Sequence, residues 1–587
     1  MIDQEKRSGN AFDFPVMRRI FTFVGPYKGI FYLTVLLTLL LAALGPVRPW
    51  LTQLALDDHI IHANYQGLMQ ITIAMIFVLM VQSVIQFLQA YMSGKLGQLV
   101  IRDMRIQLFN RMLSFPIIWF DHTPVGTSVT RAVSDMETVA DVFSDGIIII
   151  VGDIVQLTVI IGYMFYIDWQ LTLWSLSTIP LLMIATNVFK NKIKSSFNDV
   201  RTQVAALNNF VQEHITGMKI VQMFNREQRE MKNFDEINLA HRDANIRSVW
   251  YYSIFFPVVE ILSAISIGLL IWWGAGDVIE GKTTFGTLVA FIMYINLLFR
   301  PIRELADKFN TLQMGVVSSE RIFKVFDTPL QTVPHGDIMV KSRPKGAVEF
   351  RDVWFAYKDE DWVLKGVSFG LRSDETIALV GSTGSGKTSV INLINRFYEH
   401  NKGDILIDGI SLRDYDSTSL RKHIAVVLQD VFLFSDTIYN NIVLGDTSIT
   451  REKVTKAAEM IGAMDFINKL PGAFDYHVGE RGNLLSMGQR QLISFIRAYV
   501  TDPAILILDE ATSSIDTESE ELITRATEIL TKGRSSIVIA HRLATVLNAD
   551  KIIVLDHGKI LESGPHQVLI KNGGHYMNLF KTQFESH

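Results

Sequence analysis

The sequence predicts two domains of different class: an α-helical membrane domain with six transmembrane helices, followed by an α/β domain with a parallel sheet. Two observations predict this division. Long apolar stretches occur up to about Phe299, and beyond about Asp327 short β-rich runs alternate with helical segments. The segment between them contains proline and glycine, which is typical of a linker. We therefore predict a membrane domain over residues 1–326, a linker over 327–345 and a second domain over 346–587.

The composition supports a membrane portion. Of the 587 residues, 49% are hydrophobic and only 20% are charged, whereas soluble proteins carry about 25% charged residues. The net charge of −5 provides no strong basic field for a nucleic-acid backbone, so we expect no nucleic-acid partner. The absence of cysteine excludes disulfides, thiolate zinc sites and a cysteine nucleophile.

Six segments of the first domain are apolar enough to cross a bilayer. A transmembrane helix needs about 20 mainly apolar residues, and each segment meets or approaches that length. The polar segment Met1–Asn10 lacks the pattern of a cleavable signal peptide, so we expect the first span to be retained. The predicted spans are about Gly29–Gln53, Leu68 to beyond Tyr91, Ile147–Tyr166, Trp169–Phe189, Trp250–Trp273 and Thr284–Phe299.

Basic residues are concentrated on one side of the membrane in this arrangement. The connections between spans two and three and between spans four and five are rich in lysine and arginine, whereas the opposite connections carry only Lys282. The positive-inside rule then places both termini and the second domain in the cytoplasm, with the spans in the cytoplasmic (inner) membrane. Both basic connections have helical patterns, so we expect the helices to extend beyond the membrane. An ordinary loop domain is the alternative.

A glycine-rich motif follows an apolar strand predicted at Thr376–Val380 and precedes a helix predicted at about Ser389–Phe397. This is the context of a Walker A loop in a P-loop NTPase, whose backbone amides and helix N-terminus bind phosphate. We expect Lys387 to reach the β- and γ-phosphates and the Thr388 hydroxyl to bind Mg²⁺. The predicted ATP-binding loop comprises Gly381, Ser382, Thr383, Gly384, Ser385, Gly386, Lys387 and Thr388.

Two further apolar strands end in residues with catalytic chemistry. The strand predicted at Ala504–Leu508 leads to Asp509 and Glu510, which fit a Walker B pair. Asp509 would hold Mg²⁺ through water, and Glu510 would polarise the attacking water. The strand predicted at Ser536–Ala540 leads to His541, which is placed to contact the γ-phosphate. Solvated acids and a structural histidine are the alternatives, and the phosphate loop in the same domain favours the catalytic interpretation.

The segment Leu485-Ser486-Met487-Gly488-Gln489, before a helix predicted at Arg490–Val500, resembles the signature sequence of ATP-binding cassette (ABC) transporters. Six spans before one cassette resemble an exporter-type half-transporter, similar to bacterial multidrug exporters. Other motifs carry the resemblance along nearly the whole chain. Tyr357 resembles the aromatic residue that stacks on adenine, Gln429 the glutamine that links the nucleotide site to the membrane domain, and His541 the switch histidine. Gly479–Gly482 resembles the loop before the signature, and Ser514-Ile515-Asp516 resembles the loop after the catalytic glutamate. In the first domain, Trp119–Gly126 resembles the first intracellular coupling segment.

The resemblance implies an ATP-hydrolysing transporter that works as a dimer, either a homodimer or a pair of different half-transporters. Each ATP would lie between the Walker A loop of one subunit and the signature of the other, so Ser486 and Gly488 would act on the partner's ATP. Glu510, His541 and Gln429 form the expected catalytic set, and Thr388, Gln429 and Asp509 the expected Mg²⁺ set. Asp516 belongs to the loop between the subunits.

Two residues depart from the commonest family pattern. Met487 replaces glycine at the third signature position, and Ile515 replaces leucine in the loop that contains Asp516. Neither departure removes a catalytic group. Met487 either weakens the ATP site that this chain completes in its partner or is tolerated there.

The transported substrate is expected to be an amphipathic drug, lipid or similar compound. Lipid flipping and peptide export are narrower alternatives, and a regulatory protein in which ATP only gates a channel is a third. Intact Glu510 and His541 count against the gate, since gating does not need hydrolysis. Three ionisable residues in or near the spans, Arg48, Asp153 and Glu260, are candidate substrate contacts or structural pairs.

Overall fold

A computed structural model describes residues 13–142, 147–330, 336–509, 517–540 and 543–584. Within it the chain forms two compact units. One, the helical unit, comprises Met1–Ser114 and Thr123–Pro329. The other, the α/β unit, comprises Phe115–His122 and Leu330–His587. A short segment from the middle of the first half of the sequence therefore belongs to the α/β unit.

The described regular structure of the helical unit consists of helices. One short helix from this part of the sequence belongs to the α/β unit instead. A π-helical turn, Ala55–Ile60, follows the third helix. The helices before the linker are α1 (Phe14–Thr22), α2 (Lys28–Leu44), α3 (Val47–Leu54), α4 (Tyr65–Leu113), α5 (Ile117–His122, in the α/β unit), α6 (Val125–Ala132), α7 (Ser134–Asp141), α8 (Ile147–Ile167), α9 (Trp169–Leu176), α10 (Ile179–Thr216), α11 (Met218–Met223), α12 (Glu227–Ile279) and α13 (Phe285–Asp327).

Five helical stretches among the described residues are long and apolar enough to cross a membrane. They are Gly25–Ile60, Tyr65–Leu113, Ile148–Ile167, Trp169–Thr216 and Glu227–Ile279. The sixth predicted span corresponds to a shorter apolar segment, Phe285–Pro301, at the start of α13. The α-helical class of the membrane domain is therefore confirmed, and the crossing by the sixth segment stays a prediction.

Two predicted spans are interrupted near proline. The first divides between α2 and α3, where Pro46 precedes the first residue of α3. The fourth divides between α9 and α10, where Pro180 occupies the first turn of α10. Proline lacks an amide proton and its ring clashes with the preceding turn, so it is tolerated at a helix start but not in mid-helix without a distortion. Hydropathy alone does not detect these breaks.

The basic connections are helical, as predicted. α4 continues from its apolar part to Leu113, and α10 and α12 continue through the connection between spans four and five. The short helix α11 connects the C-terminal end of α10 to the N-terminal end of α12. The alternative of an ordinary loop domain is wrong for the described residues of these connections.

Of the three ionisable residues singled out in the spans, Asp153 forms an ion pair. Its carboxylate lies 2.7 Å from the Lys308 ammonium, and the two side chains are only 19% and 16% exposed. A carboxylate that is mostly buried without a partner is strongly unfavourable, and the ion pair offsets part of that cost. Arg48 and Glu260 are exposed on the surface of the helical unit.

The α/β unit contains ten described strands and the remaining helices. The strands are β1 (Val348–Ala356), β2 (Trp362–Leu371), β3 (Thr376–Val380), β4 (Lys402–Ile407), β5 (Ile410–Ser411), β6 (Ile424–Val427), β7 (Ile505–Asp509), β8 (Ser535–Ile539), β9 (Lys551–Asp556) and β10 (Lys559–Gly564). The helices are α14 (Lys387–Ile394), α15 (Ser417–Arg421), α16 (Ile438–Val443), α17 (Arg451–Ile461), α18 (Met464–Asn468), α19 (Met487–Val500), α20 (Thr517–Thr531), α21 (Leu543–Leu547), α22 (His566–Asn572) and α23 (His575–Phe584).

The central sheet has the strand order β10-β9-β3-β8-β7-β6 among the described residues, and all neighbours except β10 and β9 are parallel. Strands β3, β7 and β8 are buried along almost their whole length. One face of the sheet packs against helices that include α17, α19 and α20, and the other packs against α14 and strands β1, β2 and β4. A second, antiparallel sheet has the order β2-β1-β4-β5. Because parallel strands end at one edge, the segments that follow β3, β6, β7, β8 and β9 start from the same side of the central sheet.

Candidate active site

The phosphate loop joins β3 directly to α14, which begins at Lys387 rather than at the predicted Ser389. Gly384 and Gly386 have φ angles of +82° and +107°, which side chains of L-residues rarely adopt. A Cβ atom on Gly386 would also lie only 2.7 Å from Leu364 Cδ2. The loop thus depends on glycine for its shape, and it delivers the N-terminus of α14 to the edge of the sheet.

Lys387 is folded against its own loop. Its side chain is buried, and Nζ donates hydrogen bonds of 2.8 Å to the carbonyl oxygens of Gly381 and Ser382. The Ser385 hydroxyl lies 3.4 Å from Nζ. Burial lowers the pKa of Lys387, and the negative charge of Asp509 opposes that change. The ammonium is therefore held inside the loop that would wrap the phosphates.

Asp509 is the last residue of β7 and pairs in register with Ile539 of β8, which in turn pairs with Leu379 of β3. Neighbouring strands lie about 4.8 Å apart, so Asp509 is roughly 10 Å across the sheet from the strand that leads into the phosphate loop. Glu510, Asp516 and His541 lie outside the described residues, and their predicted roles remain predictions.

The predicted adenine-stacking residue Tyr357 lies beside the first turns of α14. Its hydroxyl is 3.0 Å from Ser389 Oγ and accepts a 3.2 Å hydrogen bond from Asn392 Nδ2. The edge of the Tyr398 ring meets it at a centroid distance of 5.0 Å. Tyr357 remains 38% exposed, which leaves part of the ring accessible to a base.

Tyr398 is not among the residues that the sequence predicts for the site. Its hydroxyl donates a hydrogen bond to Asp121 of α5, the short helix within the predicted coupling segment. No local pattern identifies this pair, because the two residues are separated by 277 positions in the sequence. Tyr398 thus contacts both Tyr357, the predicted adenine-stacking residue, and α5 within one unit.

We expect the Tyr398→Phe variant to separate two effects. The ring against Tyr357 is kept, so the KM for ATP should change less than about twofold. The variant loses the hydrogen bond from Tyr398 to Asp121, which is worth about 1 kcal/mol. Because we expect this hydrogen bond to hold α5 in place during turnover, its loss should lower kcat roughly fivefold. Tyr398→Ala is the comparison, and it should raise KM as well. Equal KM values for the two variants would contradict this role, as would an unchanged kcat in Tyr398→Phe.

The signature segment forms the N-terminus of α19, which begins at Met487 rather than at the predicted Arg490. Ser486 is the N-cap: its hydroxyl accepts from the Gln489 amide at 3.2 Å, and Gln489 Oε1 accepts from the Ser486 amide at 3.0 Å. This reciprocal pair is a capping box. Leu485 and Gly488 are buried, whereas Ser486 and Met487 are exposed.

Gln429 and Met487 line the same cavity, of about 360 Å³. Arg481, from the predicted loop before the signature, is also in its wall. The structure therefore brings Gln429 next to two motifs, the signature and the loop before it, that lie 50 or more residues later in the sequence. Met487 is 43% exposed and lies in the first helical turn, so its side chain is not needed for the core.

Comparisons with known proteins decide the family. The model of the ABC transporter transmembrane region matches residues 31–302, and the ABC transporter model matches residues 364–513. The uncharacterized ABC transporter ATP-binding protein YknV of Bacillus subtilis (strain 168) is 37% identical over 577 residues, covering 98% of this chain and 96% of that protein. The chain belongs to the ABC transporter family.

Other relatives of this ABC transporter have more specific names. The ATP-dependent lipid A-core flippase of Syntrophus aciditrophicus (strain SB) is 34% identical over 97% of this chain and 95% of its own length. The probable multidrug resistance ABC transporter ATP-binding/permease protein YheH of Bacillus subtilis (strain 168) is 37% identical over 85% of this chain and 74% of its own length. The predictions of an exporter-type half-transporter and of an ATPase-coupled transporter are confirmed.

The predicted Mg²⁺ donors of this ABC transporter are a hydroxyl, an amide and a carboxylate. Thr388 lies exposed in the first turn of α14, and Gln429 lies exposed two residues after β6. Asp509 ends the strand next to β6. Oxygen donors of this kind, completed by water and ATP phosphates, suit Mg²⁺, which takes few protein ligands. In the described part of the chain no group of three or more His, Asp or Glu forms a separate metal site.

Proposed function

We propose that this ABC transporter works as a dimer that exports an amphipathic compound across the cytoplasmic membrane, with ATP hydrolysed at two sites between the cassettes. The observation that supports the dimer is that one α/β unit presents two separate helix N-termini, those of α14 and α19. Lys387 starts α14 at the phosphate loop, and exposed Ser486 and Met487 start α19. Two such chains, facing each other, would place the phosphate loop of each against the signature of the other.

Each residue of the site has a distinct task in this proposal. The loop amides and Lys387 bind the β- and γ-phosphates, and Tyr357 stacks on the adenine. Thr388, Gln429 and Asp509 hold Mg²⁺, which neutralises charge on the phosphates when bound. Glu510 orients and polarises the attacking water, and His541 contacts the γ-phosphate. Ser486 donates to the partner's γ-phosphate, and Asp516 contacts the partner across the interface.

Two substrate classes are supported by the names of relatives. Those names include lipid A-core flippases and multidrug export proteins. Both kinds of substrate have a polar part and an apolar part, so we propose an amphipathic substrate, with lipid flipping as the narrower version. The basic connections of the helical unit support an orientation with the cassette in the cytoplasm.

The test is ATP turnover by the purified full chain in lipid vesicles, with a Glu510→Gln variant as control. We expect Mg²⁺-dependent turnover that the variant lowers by at least roughly a hundredfold, because a misplaced water loses most of its activation. Transport of a fluorescent lipid and of an amphipathic dye would be measured in the same vesicles. A folded protein that binds ATP without turnover would contradict the homodimer and indicate an obligatory second subunit. ATP-dependent ion conductance that persists in Glu510→Gln would favour the alternative of a regulatory protein in which ATP only gates a channel.

A further inference from the structure

A polar cavity of about 320 Å³ lies between α10 and α12 in the helical unit, away from every residue assigned above. Lys192, Ser195 and Asp199 line it from α10, and Arg247 and Tyr251 line it from α12. These residues recur at spacings of three and four, so each set lies on one face of its helix.

The two helices are fixed together at this cavity. Ser196 and Ser248 are both buried, and their hydroxyl oxygens are 2.8 Å apart. Arg247 also donates a 3.3 Å hydrogen bond to Asp199, with both side chains about half exposed. The positions of the basic groups around the cavity are therefore set by a packed helix pair rather than by a loop.

The charge of the cavity favours an anion. It contains two cations, Lys192 and Arg247, and one carboxylate, Asp199. Asp199 already pairs with Arg247. Within the described residues Lys192 has no hydrogen-bond or ion-pair partner, so its ammonium is available. Two hydroxyls, those of Ser195 and Tyr251, add donors of the kind that bind phosphate oxygens.

An exposed apolar stripe leads into the cavity on both helices. On α10, Ile184 and Val188 are 62% and 55% exposed and precede Lys192 at intervals of four. On α12, Trp250 and Ile254 are 64% and 46% exposed and lie on the face that carries Arg247. Apolar side chains exposed on transmembrane helices face acyl chains, and tryptophan is enriched at the boundary with the headgroups. The cavity thus lies where the apolar part of each helix ends.

We propose that this cavity binds the phosphate of an anionic phospholipid, with the acyl chains along the apolar stripe. The positive-inside rule assigns this end of α10 and α12 to the cytoplasmic side, where basic pockets between helices bind acidic headgroups. A free anion would use the basic groups alone. The stripe of Ile184, Val188, Trp250 and Ile254 is what selects a lipid. The site needs neither ATP nor the transported substrate.

The test measures phospholipid binding to the purified, delipidated full chain by native mass spectrometry, with phosphatidylglycerol and phosphatidylcholine as probes. The double variant Lys192→Gln/Arg247→Gln is expected to bind phosphatidylglycerol roughly 30-fold more weakly, on the order of fivefold for each cation removed. The matched control is Lys194→Gln/Arg242→Gln. It removes the same charge from the same helices outside the cavity, and should change the affinity less than twofold.

Three outcomes would overturn the proposal: equal loss in the two double variants, equal binding of the two lipids by the parent, or displacement of phosphatidylglycerol by glycerol phosphate at similar concentration. The last would show a simple anion site. Because Arg247→Gln also leaves Asp199 without its partner, Lys192→Gln alone is measured too. It leaves that ion pair intact and should still weaken phosphatidylglycerol binding about fivefold.

Discussion

ATP turnover is expected to fall by at least roughly a hundredfold in the Lys387→Met variant, the usual effect of removing one donor aimed at transition-state charge. Methionine keeps the length of the side chain and removes its charge. In the parent, Nζ donates to the Gly381 and Ser382 carbonyls. When ATP binds, the Lys387 ammonium would donate to the phosphates instead of to these carbonyls. The methionine side chain of the variant has no charge and no hydrogen-bond donor for the phosphates.

The measurement combines turnover with the rise in thermal midpoint that ATP causes. Lys387→Met should lose most of both, because a ligand stabilises a protein only as far as it binds the folded state. The variant also leaves two carbonyls without their donor, which costs about 1–3 kcal/mol for buried groups, so its midpoint without ATP should fall. Lys571→Met, at an exposed position of α22, is the matched control. Normal turnover in Lys387→Met would refute the assignment of this loop.

The second large effect is expected from Ser486→Asp. Aspartate caps a helix as well as serine does, so the hydrogen bond to the Gln489 amide should survive. The new negative charge would face the partner's γ-phosphate, and like charges brought together cost several kcal/mol. We expect turnover to fall at least roughly a hundredfold without loss of stability. Thr450→Asp is the control, since Thr450 caps α17 in the same way.

These two variants also test the arrangement of the sites when they are combined. In a mixed dimer of one Lys387→Met chain and one Ser486→Asp chain, one composite site carries both defects and the other carries neither. Mixed dimers isolated with two affinity tags should therefore recover a large part of the activity of one site. If each site were built within one chain, both sites would remain defective. Lack of recovery would contradict the composite site.

The α/β half was the more predictable part, because its strands have a strong local signal. β3 has the predicted bounds Thr376–Val380, since a short apolar run followed by glycine is unambiguous. The start of α19 was misplaced at Arg490, although the serine and glutamine at 486 and 489 form a capping box that the sequence displays. Met487 therefore lies in the first turn rather than before the helix, and its exposed position agrees with a tolerated substitution.

Contacts between distant segments could not be predicted from the sequence. The partner of Asp153 is Lys308, and the partner of Tyr398 is Asp121. No periodicity links such pairs, because they depend on how helices and sheets pack. The cavity between α10 and α12 was missed for the same reason. Its lysine and arginine belong to the basic connection between spans four and five, whose charge indicates orientation but not a binding site.

The assignment of Phe115–His122 to the α/β unit matters for the design of fragments and chimaeras. A cassette expressed from residue 330 onward would lack α5, and Tyr398 would lose its hydrogen bond to Asp121. Measurements on such a fragment would describe an incomplete unit, with the surroundings of Tyr398 and Tyr357 altered. A chimaera that exchanges cassettes between relatives should therefore carry residues 115–122 from the same parent as the cassette.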